Sequence, residues 1–252
     1  MNNMQGIIFD KDGTLLDFEA FWLPVTEGAL DTLAKWFGLP EDAALRAARR
    51  LGVAEGRARK DGILCAGTYS AIAAEVLSVF SEYGKQIAKE EMEGAAPRAF
   101  EENMCRGNVV PAVPDLAELL RALRSEGNRL FVATTDTPFG TAACLKALGL
   151  DGLFDAVYTD GSGCPVKPDP YIVGDIVQKY GICRSRLAMV GDTRTDLDFA
   201  ERGGIFGIAY LRGASDDAAF ASRAGLIIRD LHELRGVWDI IRKDIRKEEG
   251  HG

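Results

Sequence analysis

The stretch Gln5-Gly-Ile-Ile-Phe-Asp-Lys-Asp-Gly-Thr14 is the part of this chain from which the fold is most directly predicted. Its first half is a short apolar run, typical of a buried strand, and the run ends abruptly at Asp10. Asp12 and Gly13 follow within three residues, a combination typical of a tight turn. Two carboxylates directly after a buried strand indicate either such a turn alone or the edge of a functional site. The residues that follow the other strands favour the second interpretation.

From about residue 109 onward, short apolar runs alternate with amphipathic helices. The clearest helix carries four leucines at helical spacing on one face, and Gly127 follows it as a predicted stop. This alternation predicts a doubly wound α/β fold, in which helices cover both faces of a parallel sheet. Ligands of such sheets bind at the carboxyl ends of the strands, so the residues directly after each strand are candidates for a site. The further strands predicted are Leu130–Thr134, Ala156–Tyr158, Leu187–Val190, Ile205–Ala209 and Leu226–Ile228.

The stretch between the first strand and residue 109 has a different character. It is rich in Ala, Glu and Arg and predicts mostly helices. We therefore expect an α/β core made of residues 1–16 and 109–252, with residues 17–108 (the insertion) forming a helical cap over the carboxyl edge of the sheet. The basic residues of the insertion are typical of a solvated helix face. The alternative is that Arg57 or Lys60 reaches an anionic part of a substrate.

Composition narrows the classes of function. The chain has 252 residues and a formal net charge of −8, which argues against non-specific nucleic-acid binding because that needs a basic surface. Its apolar runs are far shorter than the roughly 20 residues of a membrane-spanning helix, and the N-terminus lacks the basic region of a secretory signal. Five scattered cysteines without a CxxC pair indicate free thiols in a reducing compartment. We expect a cytoplasmic monomer or homodimer without nucleic-acid or membrane partners.

Acidic, hydroxyl and basic residues follow four of the predicted strands. They are Asp10 and Asp12 after the first, Thr135 and Asp136 after the second, Lys167 after the third, and Asp192 and Asp196 after the fourth. These residue types suit phosphoryl transfer, which needs an oxygen nucleophile and cations that offset phosphoryl charge. We expect Asp10 to be the nucleophile and Asp12 the general acid and then the base. Carboxylates such as Asp10 and Asp192 are ligands that Mg²⁺ prefers, and the expected partner is a small phosphorylated metabolite.

The same residues resemble the motifs of a known family. Asp10-Lys-Asp-Gly-Thr14, Thr135 after a strand, Lys167-Pro-Asp-Pro170 and Gly191-Asp192-x-x-x-Asp196 resemble, in this order, the four motifs of the haloacid dehalogenase (HAD) superfamily. The insertion resembles the C1-type helical cap of that superfamily, and residues 224–234 are similar to the end of its phosphoglycolate phosphatase-like members.

The resemblance implies a role for each matching position. Asp10, Asp12 and Lys167 are the implied catalytic residues, with Asp12 serving the metal through its backbone carbonyl. Asp196 is implied either as a ligand or as the residue that orients Lys167. The implied Mg²⁺ ligands are Asp10, Asp12, Asp192 and Asp196. Thr135 is the implied phosphate-binding hydroxyl, and Lys167 matches the lysine of the third motif. The predicted phosphate-binding residues are Gly13, through a backbone amide, Thr135, Asp136 and Lys167.

Several alternatives stay open within this resemblance. The second motif usually reads Thr-Asn, so the register between Thr134 and Thr135 is undecided. The activity implied is Mg²⁺-dependent hydrolysis of a phosphate monoester through an aspartyl-phosphate, with phosphoglycolate as one candidate substrate. A dehalogenase is disfavoured by Asp12. A phosphomutase would carry the same motifs, and a non-catalytic protein that binds phosphate or a partner is the alternative from another class.

Overall fold

The computed structural model describes residues 4–161, 163–212, 220 and 222–242. Its first strand, β1 (Gln5–Phe9), is followed by the elements of the insertion and then by alternating helices and strands. In the insertion these are α1 (Phe18–Trp36), α2 (Glu41–Arg50), β2 (Val53–Ala54), β3 (Arg57–Ala58), α3 (Ile63–Ala66), α4 (Tyr69–Ser81) and α5 (Lys89–Asn103). After it come α6 (Leu116–Ser125), β4 (Asn128–Ala133), α7 (Pro138–Ala147), β5 (Ala156–Tyr158), α8 (Tyr171–Tyr180), β6 (Leu187–Gly191), α9 (Arg194–Gly203), β7 (Phe206–Tyr210) and β8 (Leu226–Ile228).

The core is a sheet with β1 at its centre. In the described residues the strand order is β5-β4-β1-β6-β7-β8, and every neighbouring pair in it is parallel. Because side chains alternate along a strand, Ile7 and Phe9 point to the face covered by the leucines of α6. Ile8 points to the opposite face, where α8 and α9 pack. Both faces are buried, so the strands read as continuous apolar runs, and the predicted doubly wound α/β fold is confirmed.

The insertion has a hydrophobic cluster of its own, built mainly from α1, α2, α4 and α5. The chain enters and leaves it side by side, because the amide of Asp17 donates to the carbonyl of Val110 (2.8 Å) and the amide of Ala112 donates to that of Leu15 (2.9 Å). Its short hairpin β2–β3 is an antiparallel element that the helical pattern did not predict. The division into residues 1–16, 17–108 and 109–252 stays a prediction. Within the described part of the chain, each helix is too short or too polar to cross a membrane.

Candidate active site

The carboxyl ends of β1 and β6 lie side by side and bring two of the predicted residues together. The amide of Asp10 donates to the carbonyl of Val190 at 2.9 Å, so the chain after β1 runs alongside the end of β6, where Asp192 follows. Carboxylate oxygens of Asp10, Asp192 and Asp196 all lie within 4.8 Å of one another. This acidic cluster is buried.

Lys167 is the buried cation of this cluster. Its Nζ lies 2.6 Å from Oδ1 of Asp10 and 2.6 Å from Oδ1 of Asp196. Burial opposes the charge of this lysine, but the two carboxylates outweigh burial and raise the pKa of Lys167 above its ordinary value. Lys167 is therefore an ammonium that joins the loop after β5 to the loop after β1 and to the first turn of α9.

Asp196 has both of its carboxylate oxygens engaged. Oδ1 accepts from Lys167, while Oδ2 accepts from the amide (3.0 Å) and the hydroxyl (2.7 Å) of Thr193. Thr193 and Asp196 form the reciprocal N-terminal cap of α9, which is why the spacing of these two residues opens a helix here. The arrangement holds Asp196 rigidly against Lys167.

Asp192 differs from Asp196 because one of its oxygens is buried without a partner. Oδ1 accepts no hydrogen bond within the described ranges, and Oδ2 lies 3.3 Å from Nζ of Lys60. Burial raises the pKa of Asp192 to about 6. Burial also raises the pKa of Asp10 well above its ordinary range in spite of Lys167, and the neighbouring carboxylates add to this effect. Hard oxygen donors with uncompensated negative charge fit a divalent cation such as Mg²⁺.

Gly13 gives Asp192 the space it occupies. Its backbone has φ +93°, and an added Cβ would lie 2.6 Å from Cγ of Asp192. The amide of Gly13, predicted to contact phosphate, donates to the carbonyl of Leu16 at 2.9 Å. The predicted phosphate contact of Gly13 stays a prediction.

Gly13→Ala should therefore cost more than the backbone conformation alone explains. Gly127 provides a matched control, because its φ is +90° and nothing lies within 4 Å of an added Cβ. We expect Gly127→Ala to lower the free energy of unfolding by about 1–2 kcal/mol, the cost of the left-handed conformation. Gly13→Ala should lose a further 1–3 kcal/mol or so from overlap with Asp192. Chemical denaturation of both variants measures the difference, and equal losses would contradict the steric role of Gly13.

The two threonines after β4 occupy different surroundings. Thr134 is buried, and its hydroxyl accepts from the amide of Asp136 at 3.1 Å. Thr135 is half-buried and lines the same cavity as Asp10, Asp12 and Lys167. Asp136 also lines this cavity, but its Oδ2 lies 3.0 Å from Nζ of Lys11 and its Oδ1 accepts from the amide of Thr137. The phosphate-binding roles of Thr135 and Asp136 stay predictions.

The insertion forms the opposite wall of this cavity. The insertion residues that line it are mainly apolar or aromatic: Phe18, Trp22, Leu64, Tyr69 and Ile72. Lys60 and Arg57 line an adjoining cleft with Asp12 and Asp192. Of the two basic residues singled out in the sequence, Lys60 is the one whose side chain contacts a member of the acidic cluster.

Lys11 and Trp22 are among the residues of this site that were not identified from the sequence. Lys11 is fully buried, with Nζ 2.6 Å from Oδ1 of Asp12, and Trp22 donates from Nε1 to the same oxygen at 2.7 Å. The position of a lysine between two site aspartates was the available signal for Lys11. Trp22 had no such signal, because its spacing in α1 is that of an ordinary core residue.

Comparison with known proteins identifies relatives over most of the chain. The family model for haloacid dehalogenase-like hydrolases matches residues 4–204. A phosphoglycolate phosphatase of Rhodospirillum rubrum is 30% identical over 241 residues, which cover 93% of this chain and 90% of that protein. A phosphoglycolate phosphatase of Mannheimia succiniciproducens is 28% identical over 136 residues, and this match spans 54% of the chain and only 60% of the relative.

Solved structures show the same fold. The crystal structure of a predicted phosphoglycolate phosphatase from Haemophilus somnus superposes with a TM-score of 0.71 at 20% sequence identity. The superposition covers 94% of this chain and 99% of that one, so it includes both the sheet and the insertion.

Proposed function

Because the chain belongs to the haloacid dehalogenase-like hydrolases, we propose that it is a Mg²⁺-dependent phosphatase that hydrolyses a small-molecule phosphate monoester through phosphorylated Asp10. The observation that carries this proposal is the pairing of a buried nucleophile candidate, Asp10, with the ammonium of Lys167 in a cavity that Asp12 also lines. Such a set contains the nucleophile, the proton donor and the cation that phosphoryl transfer needs.

In the first step, a carboxylate oxygen of Asp10 attacks phosphorus while the bond from phosphorus to the leaving oxygen breaks. The electron pair of that bond goes to the leaving oxygen, which takes a proton from Asp12. Lys167 holds Asp10 in place and offsets charge on the phosphoryl group. The products of this step are the alcohol and phospho-Asp10.

In the second step, the Asp12 carboxylate takes a proton from water as the water oxygen attacks phosphorus. The bond from phosphorus to Asp10 breaks and its electron pair returns to the Asp10 carboxylate. The net reaction converts a phosphate monoester and water into an alcohol and inorganic phosphate. Thr135 and Lys167 are the proposed phosphate contacts. Gly13 and Asp136 are also predicted to contact the phosphate.

For Mg²⁺ we propose that Asp10 and Asp192 supply carboxylate oxygens and that Asp12 supplies its backbone carbonyl. When bound, the ion offsets negative charge on the phosphoryl oxygens. The unpartnered Oδ1 of Asp192 supports its place in this set. Asp196 already has both oxygens engaged by Lys167 and Thr193, which favours orienting Lys167 over binding the ion directly.

The magnesium site is tested by thermal unfolding, with and without Mg²⁺. A ligand at about 100 times its Kd stabilises a protein by about 2.7 kcal/mol, which corresponds to roughly 5–10 °C in Tm for a chain of this size. We expect this shift in the wild type and its loss in Asp192→Asn. The control Glu118→Gln, which neutralises an exposed carboxylate on α6, should keep the shift. An Asp192→Asn variant that keeps the full shift would contradict the assignment.

In the metal-free protein, Asp192→Asn should raise stability. The pKa of Asp192 is raised to about 6 in the folded state, so the folded protein binds this proton more tightly than the unfolded chain does. The ionised carboxylate therefore costs stability at pH 7, and this cost disappears as the pH falls from above 6 toward 4. We expect metal-free Asp192→Asn to be more stable than the metal-free wild type at pH 7, with a smaller difference at pH 5.

The substrate class is proposed from the relatives. Phosphoglycolate is the first candidate because relatives that match the chain nearly end to end are named phosphoglycolate phosphatases. It carries a carboxylate beside the phosphate ester, and Lys60, at the edge of the site, is the proposed cation that would bind this carboxylate. Sugar phosphates and nucleotides are the other classes to compare.

The function is tested by phosphate release from phosphoglycolate, sugar phosphates, nucleotides and p-nitrophenyl phosphate, each with and without Mg²⁺. We expect Mg²⁺-dependent release of free phosphate. Recovery of the phosphate on another hydroxyl of the substrate or product would identify a phosphomutase instead. No release from any ester by the folded protein, with phosphate binding retained, would indicate the non-catalytic alternative.

A further inference from the structure

Lys11 is a buried cation that the mechanism above does not use. It is 0% exposed and is not among the residues lining the cavity, so it does not contact substrate. Its Nζ lies 2.6 Å from Oδ1 of Asp12 and 3.0 Å from Oδ2 of Asp136. Both contacts are at ion-pair distance, so Lys11 is a buried partner of two carboxylates.

Aromatic rings of the insertion close the other side of this ammonium. The ring centroids of Phe21 and Trp22 lie 5.7 Å and 5.5 Å from Nζ of Lys11, within the range of cation–π attraction. Asp136 is itself fixed, because its other oxygen accepts from the amide of Thr137. Lys11 therefore ties the loop after β1 to the loop after β4 and to α1.

The consequence for Asp12 is that its two oxygens are not equivalent. Oδ1 accepts two hydrogen bonds, from Nζ of Lys11 at 2.6 Å and from Nε1 of Trp22 at 2.7 Å. Both of these hydrogen bonds fall on Oδ1, and Asp12 lines the cavity that contains Asp10. Two donors on one oxygen fix the rotation of the carboxyl group. A proton that is to be transferred must then be carried by the other oxygen, Oδ2.

Resting on the proposed function, we propose that Lys11 and Trp22 are positioning residues for the general acid. They hold Oδ1 of Asp12, so that Oδ2 carries the proton and delivers it to the leaving oxygen. Trp22 belongs to α1, so the insertion supplies one of the two donors. The contact of α1 with the end of β1 therefore contributes to the orientation of the acid.

An experiment can distinguish a Lys11 that positions the general acid from a Lys11 that only neutralises the charge of Asp136. A misplaced general acid slows esters whose leaving oxygen must be protonated and spares esters whose leaving group departs as a stable anion. Benzyl phosphate and p-nitrophenyl phosphate are similar in size, but the first has the far more basic leaving oxygen. The ratio of their kcat/KM values therefore reports on the acid, because kcat/KM covers only the steps up to the first loss of product.

The first variant is Lys11→Met combined with Asp136→Asn, which removes the pair together and leaves no uncompensated carboxylate buried. The second is Trp22→Phe, which removes only the N–H donor and keeps an aromatic ring. General acid catalysis contributes about 10²–10⁴-fold, and a small misplacement costs up to about 10²-fold. We expect kcat/KM for benzyl phosphate to fall by about 10–100-fold in the double variant and less in Trp22→Phe. In Trp22→Phe, kcat/KM for p-nitrophenyl phosphate should change by less than about 3-fold. In the double variant, loss of a phosphate contact of Asp136 would lower kcat/KM for both esters alike, so the ratio of the two values remains the measure.

Two controls decide the interpretation. Asp12→Asn should show the same selective loss, and adding the Lys11 and Asp136 substitutions to it should not increase the selectivity further, because Lys11 acts through Asp12. Ile176→Val, on the buried face of α8, lowers stability by about 0.5–1.5 kcal/mol and should leave the ratio unchanged. Equal losses for both esters, in the double variant and in Trp22→Phe, would overturn the positioning role. A wild type that releases phosphate from neither these two esters nor the phosphoglycolate, sugar phosphates and nucleotides compared above would overturn the proposed function, and this inference with it.

Discussion

Asp10→Asn is expected to lower kcat for phosphate-ester hydrolysis by about 10⁴-fold or more, the scale seen when the nucleophile of a covalent mechanism is removed. The amide has nearly the shape of the carboxylate but is a far weaker nucleophile, so substrate binding should survive while phospho-Asp10 does not form. Steady-state phosphate release and acid-quench trapping of phosphoprotein measure the two effects. If phosphoprotein could still be trapped in Asp10→Asn, Asp10 would not be the nucleophile.

The fold should tolerate this substitution. Burial and the neighbouring carboxylates raise the pKa of Asp10, so removing its charge relieves repulsion even though Lys167 loses one partner. Lys167 keeps its contact with Asp196. Asp239→Asn is the matched control, because Asp239 is 72% exposed at its side chain and shares a surface cleft with Gln5, at the opposite end of β1. We expect both variants to unfold within a few degrees of the wild type and only Asp10→Asn to lose activity.

Lys167→Met is expected to affect stability and activity together. Removing one partner of a buried ion pair typically costs about 3–5 kcal/mol, because the remaining charges are left uncompensated. For a chain of this size that is a fall of roughly 6–20 °C in Tm. Loss of the charge that faces the phosphoryl group should lower kcat by about 10²–10³-fold, the usual cost of removing one such stabilising group. Thermal unfolding and phosphate release at a temperature where the variant is folded measure the two effects.

Lys179→Met provides the comparison for this variant. Lys179 makes a salt bridge of 3.0 Å to Asp175, but its side chain is 63% exposed. An exposed pair contributes at most about 1 kcal/mol, so this variant should lose little stability and no activity. If Lys167→Met proved no more harmful than Lys179→Met, Lys167 would not be the central cation of the site. Addition of Mg²⁺ should recover part of the stability of Lys167→Met, since a bound cation offsets the same carboxylates.

The sheet could be predicted from the sequence because parallel strands buried on both faces leave a strong local pattern. The predicted run Gln5–Phe9 coincides with β1, and Ala156–Tyr158 and Leu226–Ile228 coincide with β5 and β8. The boundaries of the other strands differ by one or two residues, as at the predicted Leu130–Thr134, which is Asn128–Ala133 in the structure. The hairpin β2–β3 escaped prediction because two-residue strands carry too few positions for any periodicity.

Part of the candidate site could likewise be predicted, because residues at the carboxyl ends of parallel strands must meet at one edge. Asp10, Lys167, Asp192 and Asp196 could be grouped on that basis alone, and the structure places them in one buried cluster. Their proximity follows from topology and therefore from the order of elements along the chain. The role of each stays a proposal until the variants are measured.

The sequence by itself thus determined the order of strands and helices along the chain. It also determined the edge of the sheet at which the reactive side chains lie. Only the tertiary structure decided which atom faces which. It pairs Asp136 with Lys11, engages both oxygens of Asp196 and leaves one oxygen of Asp192 unpartnered. It also brings Trp22 against Asp12, ten residues away. The physical reason is that periodicity records burial, which is a property of each residue in its element, whereas a hydrogen bond between two side chains depends on how separate elements pack.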